Sequence, residues 1–135
     1  MDAVRFAATL AALYAAHQVA DHWVQTHHQA TSKALPGAAG HLANIAHVTS
    51  YTATMALVIA VLGLRFDLAF SLPWVVAGLA VTAISHAWAD RRSTLRALAV
   101  RLGKGDYWDH RGGAYPLDQA WHIGWLLISS LIIAA

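Results

Sequence analysis

Residues 68–90 read LAFSLPWVVAGLAVTAISHAWAD, and this stretch decides the fold class. It has no Asp, Glu, Lys or Arg before its last position, Asp90, and it is long enough to cross a bilayer, for which about 20 apolar residues suffice. Pro73 lies near its start, where proline removes no helical hydrogen bond. The stretch therefore predicts a transmembrane helix.

The remaining sequence has the same character. Of the 135 residues, 58% are hydrophobic and 12% are charged, whereas soluble domains are about 25% charged. We predict a single-domain, all-α polytopic membrane protein, residues 1–135, built as an antiparallel bundle of four transmembrane helices. These helices are expected at approximately residues 3–23, 41–64, 68–90 and 115–135.

Positive charge predicts the orientation of the bundle. The connection 91–113 contains six of the nine Lys and Arg residues, so the positive-inside rule places it in the cytoplasm. We therefore expect a multi-pass protein of the inner membrane with both chain ends outside. Leucines at helical spacing alternate with arginines in residues 91–104, which predicts an amphipathic helix on the bilayer surface. The expected partner is lipid, not nucleic acid, and a homo-oligomer is compatible with the small size.

His and Asp residues recur at a helical spacing. Three His–Asp pairs are four residues apart, so each pair projects from one face of its helix. The pairs are His17 and Asp21, His86 and Asp90, and Asp118 and His122. They close the first and third helices and open the fourth, while His47 opens the second. In an antiparallel bundle all of them meet at the cytoplasmic end.

This convergence predicts a metal site. Polar groups inside membrane helices face the bundle interior and are functional candidates, and helix bundles build metal centres from inward His and carboxylate side chains. The predicted ligands are His17, Asp21, His47, His86, Asp90, Asp118 and His122. The chain has no cysteine, which excludes thiolate sites and disulfides. His and Asp ligands suit one or two divalent ions, zinc first, with manganese or iron as alternatives.

The structural alternative is a His–Asp proton relay without a metal. His22, His27, His28 and His110 are interpreted as solvated loop residues, and His41 is either a helix-start residue or a further ligand. Gln25 and Gln119 could orient ligands, although polar residues at helix ends need no such role.

The motifs resemble a known family. His17-x3-Asp21-x3-Gln25, His47, the run 85–90 (SHAWAD) and Asp118-Gln119-x2-His122 resemble the small bacterial and phage membrane proteins called domain of unknown function 3307. The resemblance covers nearly the whole chain, and His22-Trp23 replaces the Phe common after the first Asp. It implies a membrane fold and a polar cluster but no activity.

We expect a membrane-embedded, metal-dependent hydrolase acting on a lipid-linked or phosphorylated substrate, because a bound ion activates water. Asp21, Asp90 and Asp118 are the candidate catalytic carboxylates, one of them as general base. Arg91, Arg92 and Arg96 would bind an anionic headgroup. The alternatives are a divalent-cation transporter or channel, since His-x3-Asp resembles the metal site of cation diffusion facilitators, and a non-haem iron oxidase. Transport ranks lower because transport sites generally lie near the bilayer midplane.

Overall fold

The computed structural model describes residues 2–135, and within that range the chain contains α-helices and no strand. The all-α prediction is confirmed. The seven helices are α1 (Ala3–Val19), α2 (His27–Ser32), α3 (Gly37–Phe66), α4 (Leu72–Asp90), α5 (Ser93–Arg101), α6 (Gly105–His110) and α7 (Ala114–Ile133). A π-helical turn, Ala20–Val24, continues α1.

The four long helices pack side by side in the order α1, α3, α4 and α7, and α7 closes the ring against α1. Contacts at the two ends show that neighbours run antiparallel. At one end the Arg5 guanidinium donates a hydrogen bond of 2.6 Å to the Ala69 carbonyl, which ties the start of α1 to the α3–α4 connection. At the other end the Trp121 indole near the start of α7 donates to the Ser85 carbonyl near the end of α4, at 3.2 Å.

Two predicted helix starts differ from the structure. The second long helix begins at Gly37 rather than at residue 41, because the extended Pro36 precedes it directly and Gly37 takes a φ of 79° as the chain turns into the helix. The third begins at Leu72 rather than at residue 68, because the left-handed Asp67 ends α3 and residues 68–71 form the connection. Pro73 then occupies the first turn of α4, as the sequence predicts.

The long connections contain more helix than the sequence predicted. The first includes α2, whose start has a capping box formed by Thr26 and Gln29. The third contains α5 and α6 where one helix over 91–104 was expected, because Arg92 and Gly103 both take positive φ and limit α5. Leu95 and Ala99 of α5 are buried, while Leu102 is exposed. Short helices without a long apolar repeat give little sequence signal.

The residue distribution of the bundle is inverted relative to a soluble protein. Large apolar side chains on α3 and α4 are exposed, including Leu64 at 89% and Ile84 at 71%. Buried polar residues are about as numerous as buried apolar ones, and they include three histidines with no exposed surface. Two helices, α3 and α4, are long enough and apolar enough to cross a membrane.

Candidate metal centre

The candidate metal centre lies where the ends of α1 and α4 meet the starts of α3 and α7. The π-helical turn helps to form it, because the Gln25 amide bonds to the carbonyl of Ala20 five residues back and Asp21 lies within this wider turn. Such turns are rare and occur frequently at functional sites. His47 occupies the third turn of α3, and His86 and Asp90 occupy the last turns of α4.

Four side-chain atoms from three of these elements lie close together. They are Asp21 Oδ1, His47 Nε2, His86 Nε2 and Asp90 Oδ2, which we call the inner site. The two imidazole nitrogens are 3.0 Å apart, and each lies 3.2 Å from Asp90 Oδ2. Asp21 Oδ1 is 3.3 Å from the His47 nitrogen and 3.5 Å from the His86 nitrogen. Ligand atoms bound tetrahedrally at zinc, at about 2.0–2.1 Å, lie about 3.3 Å from one another. These five distances are therefore each close to the spacing of tetrahedral zinc ligands.

Hydrogen bonding accounts for only part of this arrangement, namely the contact between the His47 and His86 nitrogens and that between Lys33 and the other Asp90 oxygen. Among the described residues, no donor is directed at Asp21 Oδ1 or Asp90 Oδ2, although both atoms are buried and lie close to imidazole nitrogens. Buried carboxylate oxygens without partners are strongly unfavourable, so such atoms need an explanation. A cation bound among these atoms would compensate both carboxylates and would replace the contact between the two imidazole nitrogens.

His17 lies beside the inner site rather than within the set of four atoms. Its Nδ1 is 3.5 Å from Asp21 Oδ2, the oxygen that faces away from the inner site. Its Nε2 is 3.3 Å from Oε1 of Gln119, so a protonated Nε2 donates to that amide. Gln119 therefore orients the His17 ring, in the way that outer partners fix metal ligands. His17 Nδ1 has no hydrogen-bond partner among the described residues, and His17 forms, with Asp21 and His86, a further group of ligand atoms within 4.8 Å of one another.

Asp118 and His122 form a second part of the cluster on α7. His122 Nε2 is 3.5 Å from Asp118 Oδ1, and Asp90 contributes a third ligand atom to this group. The three atoms all lie within 4.8 Å of one another. His122 is 3% exposed, and its Nε2 has no hydrogen-bond partner among the described residues.

Two residues of the cluster were not predicted as site residues. Lys33 Nζ lies 2.8 Å from Asp90 Oδ1, although Lys33 belongs to none of the His–Asp pairs and lies in a connection between long helices. The Tyr51 ring stacks on the His86 ring with centroids 3.8 Å apart, and its hydroxyl lies 3.2 Å from that of Thr82. The spacing of Tyr51 one turn after His47 was the available signal, but an aromatic residue in an apolar helix is ordinary.

A cavity of about 490 Å³ opens beside the cluster. Its wall includes Asp21, Asp90 and Asp118 together with Lys33 and Arg92, so it is polar and carries charges of both signs. His47 and His86 have no exposed surface, whereas the Asp118 side chain is 27% exposed. The cavity therefore gives solvent access to the aspartates, and most directly to Asp118.

The three predicted headgroup arginines have different environments. Arg92 lines the cavity. Arg91 instead donates hydrogen bonds of 2.7 Å to the carbonyls of Lys33 and Leu35, which holds the chain segment that carries Lys33. Arg96 forms a two-point ion pair with Asp109 on the surface, and this hydrogen-bonded guanidinium holds the pKa of the Asp109 carboxyl below its usual range.

The other histidines stay outside the cluster. His41, which the sequence left open as a ligand, is exposed, and so are the four histidines interpreted as solvated. The latter are His22, His27, His28 and His110. The cluster therefore contains four of the nine histidines, namely His17, His47, His86 and His122.

The fold and this cluster define the protein as an all-helical chain with a buried His/Asp centre beside a polar cavity. The family described as "Protein of unknown function (DUF3307)" matches residues 9–135. The chain belongs to this family, which confirms the resemblance seen in its motifs. No curated protein and no solved structure matches it.

Proposed function

We propose that the protein is a membrane-embedded, metal-dependent hydrolase acting on a lipid-linked or phosphorylated substrate. The observation that carries this proposal is the convergence of two imidazole nitrogens and two partnerless carboxylate oxygens beside a polar cavity. A divalent ion in such a cluster lowers the pKa of bound water and polarises an ester or phosphoryl oxygen.

The ligand spacing favours zinc. The two imidazole nitrogens are 3.0 Å apart, and each carboxylate oxygen lies 3.2–3.5 Å from both of them, which suits a four-coordinate ion. Manganese prefers six oxygen-rich positions, and non-haem iron oxidases use two His and one carboxylate with several positions open. His47, His86 and Asp90 alone would supply that iron-type set, whereas Asp21 Oδ1, at 3.3 Å from the His47 nitrogen, adds the fourth atom that favours zinc.

The cavity wall supports an anionic substrate. Lys33 and Arg92 offer positive charge at the wall, and Arg92 has a φ of 53°, a conformation that non-glycine residues rarely adopt. Strained backbone of this kind clusters at functional sites. In the proposed enzyme Asp21 and Asp90 hold metal, and Asp118, the most exposed of the three aspartates, contacts the water in the cavity.

We further propose that α1, α3, α4 and α7 all span the inner membrane, with the centre at the cytoplasmic end. The inverted distribution of polar and apolar residues supports lipid around the bundle. The basic connection 91–113 follows α4 directly after Asp90, which supports a cytoplasmic position for that end.

The packing gives less support to cation transport. A buried apolar layer lies one helical turn beyond the cluster, toward the opposite end of the bundle. It consists of Leu13, Met55 and Leu126, each with no exposed surface, and these residues pack in one cluster. A cation leaving the His/Asp centre through the bundle would have to cross this layer without ligands, which is unfavourable.

Metal content tests the proposal. Wild-type protein purified in detergent should retain stoichiometric zinc after dialysis against buffer, as measured by elemental analysis. His47→Ala and Asp90→Asn should lose zinc from the inner site, since each removes one of its four ligand atoms. His41→Ala is the matched control because His41 is an exposed histidine of the same helix, and it should keep the wild-type content. Wild-type protein that binds no divalent ion on titration would refute the proposal.

Assays of hydrolysis and of zinc transport distinguish the proposed hydrolase from a cation transporter. Zinc-loaded protein should release phosphate or alcohol from phosphatidic acid or a polyprenyl diphosphate in mixed micelles, and Asp118→Asn should abolish the release. Proteoliposomes containing a zinc-sensitive dye should show no protein-dependent influx. Influx that Asp90→Ala blocks would support a transporter and contradict the hydrolase.

A further inference from the structure

The His122 side chain is the starting point, because it is buried and its Nε2 has no hydrogen-bond partner among the described residues. A buried imidazole nitrogen without a partner is unfavourable. The nearest carboxylate oxygen, Asp118 Oδ1, lies 3.5 Å away. An oxygen of Asp90 completes a group of three ligand atoms within 4.8 Å of one another.

We propose that Asp90, Asp118 and His122 form a second cation site, the outer site, which shares Asp90 with the inner site and holds the ion that activates water. This inference rests on the proposed function, and it assigns the catalytic ion within that function. Two-metal centres place their ions about 3.5–4 Å apart, a separation that a shared carboxylate supports.

The two sites differ in the number of protein ligands. We assign all four inner-site atoms to one ion, which leaves a tetrahedral ion no open position, and such closed sites are structural. The outer site has three protein ligands, and catalytic zinc sites characteristically combine three protein ligands with one water.

The two sites also differ in access. Asp90 and Asp118 line the cavity of about 490 Å³, so an ion between them would face it. His47 and His86, in contrast, have no exposed surface. Asp21 of the inner site also lines the cavity, but its side chain is 10% exposed and that of Asp118 is 27% exposed, so water and substrate reach the outer site more directly.

Charge predicts that the two ions bind in sequence. Asp21, Asp90 and Asp118 contribute three negative charges, and Lys33 contributes one positive charge. One divalent ion makes the cluster neutral, whereas a second gives it two positive charges in a poorly solvated environment. The outer ion should therefore bind more weakly than the inner ion.

Metal titration of chelator-stripped protein in detergent tests the outer site. Wild type should bind two Zn²⁺ ions in separate steps, and His122→Ala should keep only the tighter one. Asp118→Asn provides a second, nearly isosteric test in case His122→Ala does not fold. His110→Ala, which changes an exposed histidine, should still bind two ions. With Mn²⁺, the electron paramagnetic resonance spectrum of wild type should show exchange coupling between two neighbouring ions. The spectra of both outer-site variants should show an uncoupled ion.

The alternative outcomes are distinct. A single ion in wild type that both variants retain would overturn the outer site and leave the inner site standing. Loss of all metal in folded His122→Ala would overturn the proposed division into two sites. Absence of metal from wild type would overturn the proposed function itself.

Discussion

At the scale of single residues, Asp90 connects the parts of the centre. Its Oδ2 faces the two imidazole nitrogens at 3.2 Å, and its Oδ1 faces the Lys33 ammonium at 2.8 Å. The Lys33 segment is held in turn by hydrogen bonds from Arg91, the residue that follows Asp90. A buried carboxylate is stable only when its charge is compensated, so Lys33 is the residue that makes Asp90 tolerable before a metal binds.

Replacing Lys33 by methionine should therefore destabilise the metal-free protein. Breaking a buried ion pair leaves an uncompensated charge, and we expect a loss of about 3 kcal/mol, the low end of the range, since the Lys33 side chain is 14% exposed. Saturating zinc should reduce the loss because the ion also compensates Asp90. Unfolding followed by circular dichroism, with EDTA and with zinc, measures both values.

Lys104→Met is the matched control, since Lys104 is the other lysine of the chain and is exposed. It should leave the unfolding curve unchanged in both buffers. An equal loss for Lys33→Met with EDTA and with zinc would show that Lys33 stabilises the fold independently of the metal centre.

At the scale of helices, close approach of α4 and α7 sets the position of Asp90 relative to Asp118 and His122. The approach depends on Gly78, where an added Cβ would meet the Ile133 side chain and would lie 2.9 Å from the Ser129 carbonyl oxygen. Small residues allow helix backbones to approach in this way. Nearer the metal centre, the Trp88 and Trp121 rings stack with centroids 4.6 Å apart. This contact is a second point at which α4 and α7 pack together.

Gly78→Ala should weaken this packing. The Ser129 carbonyl belongs to the helix backbone and cannot move independently, so we expect a destabilisation of about 1–3 kcal/mol, as for other overpacked interiors. Denaturant unfolding of the purified protein measures it. If the outer site depends on this interface, the same variant should also bind the second zinc ion more weakly.

Gly124→Ala is the control on α7, because an added Cβ there meets no atom within 4 Å. It should be neutral or stabilise the protein by up to about 1 kcal/mol, since alanine is the better helix former. Equal effects of the two substitutions would contradict the role assigned to the close approach at Gly78.

At the scale of the whole molecule, the bundle buries many polar side chains and exposes large apolar ones. Thr9, Thr82, Ser129 and Ser130 are buried, while large apolar side chains of the same helices are exposed. Water would favour the reverse arrangement, and lipid favours this one. The His/Asp centre lies at one end of the bundle, so under the proposed function the direction in which that end faces decides which compartment would supply metal and substrate.

Cysteine labelling should establish the orientation. The chain has no cysteine, so a single introduced cysteine gives no background. Ser71→Cys, in the α3–α4 connection, should react with a membrane-impermeant maleimide in intact spheroplasts. Thr31→Cys, in α2, should react only after the membrane is opened. Both side chains are exposed, so access to the reagent depends on the compartment. The opposite labelling pattern would reverse the proposed topology.

The sequence by itself determined the helical class, the four long apolar stretches and the His and Asp residues that converge. Length, low charge and the four-residue spacing carry that information, because they follow from the helical repeat and from solvation alone. The location of Pro73 in the first turn of its helix was predictable from proline's missing backbone N–H, whereas His47 lies a turn further from its helix start than predicted.

Only the tertiary structure decided which of the converging residues lie in the centre and which contact other partners. Lys33, Tyr51 and the π-helical turn at Asp21 reach the centre through contacts between elements that are distant in sequence. The same contacts place His17 beside the inner site, leave His41 exposed and direct Arg91 and Arg96 to partners of their own. Side-chain direction across a helix interface depends on packing by several helices at once, which no local pattern encodes.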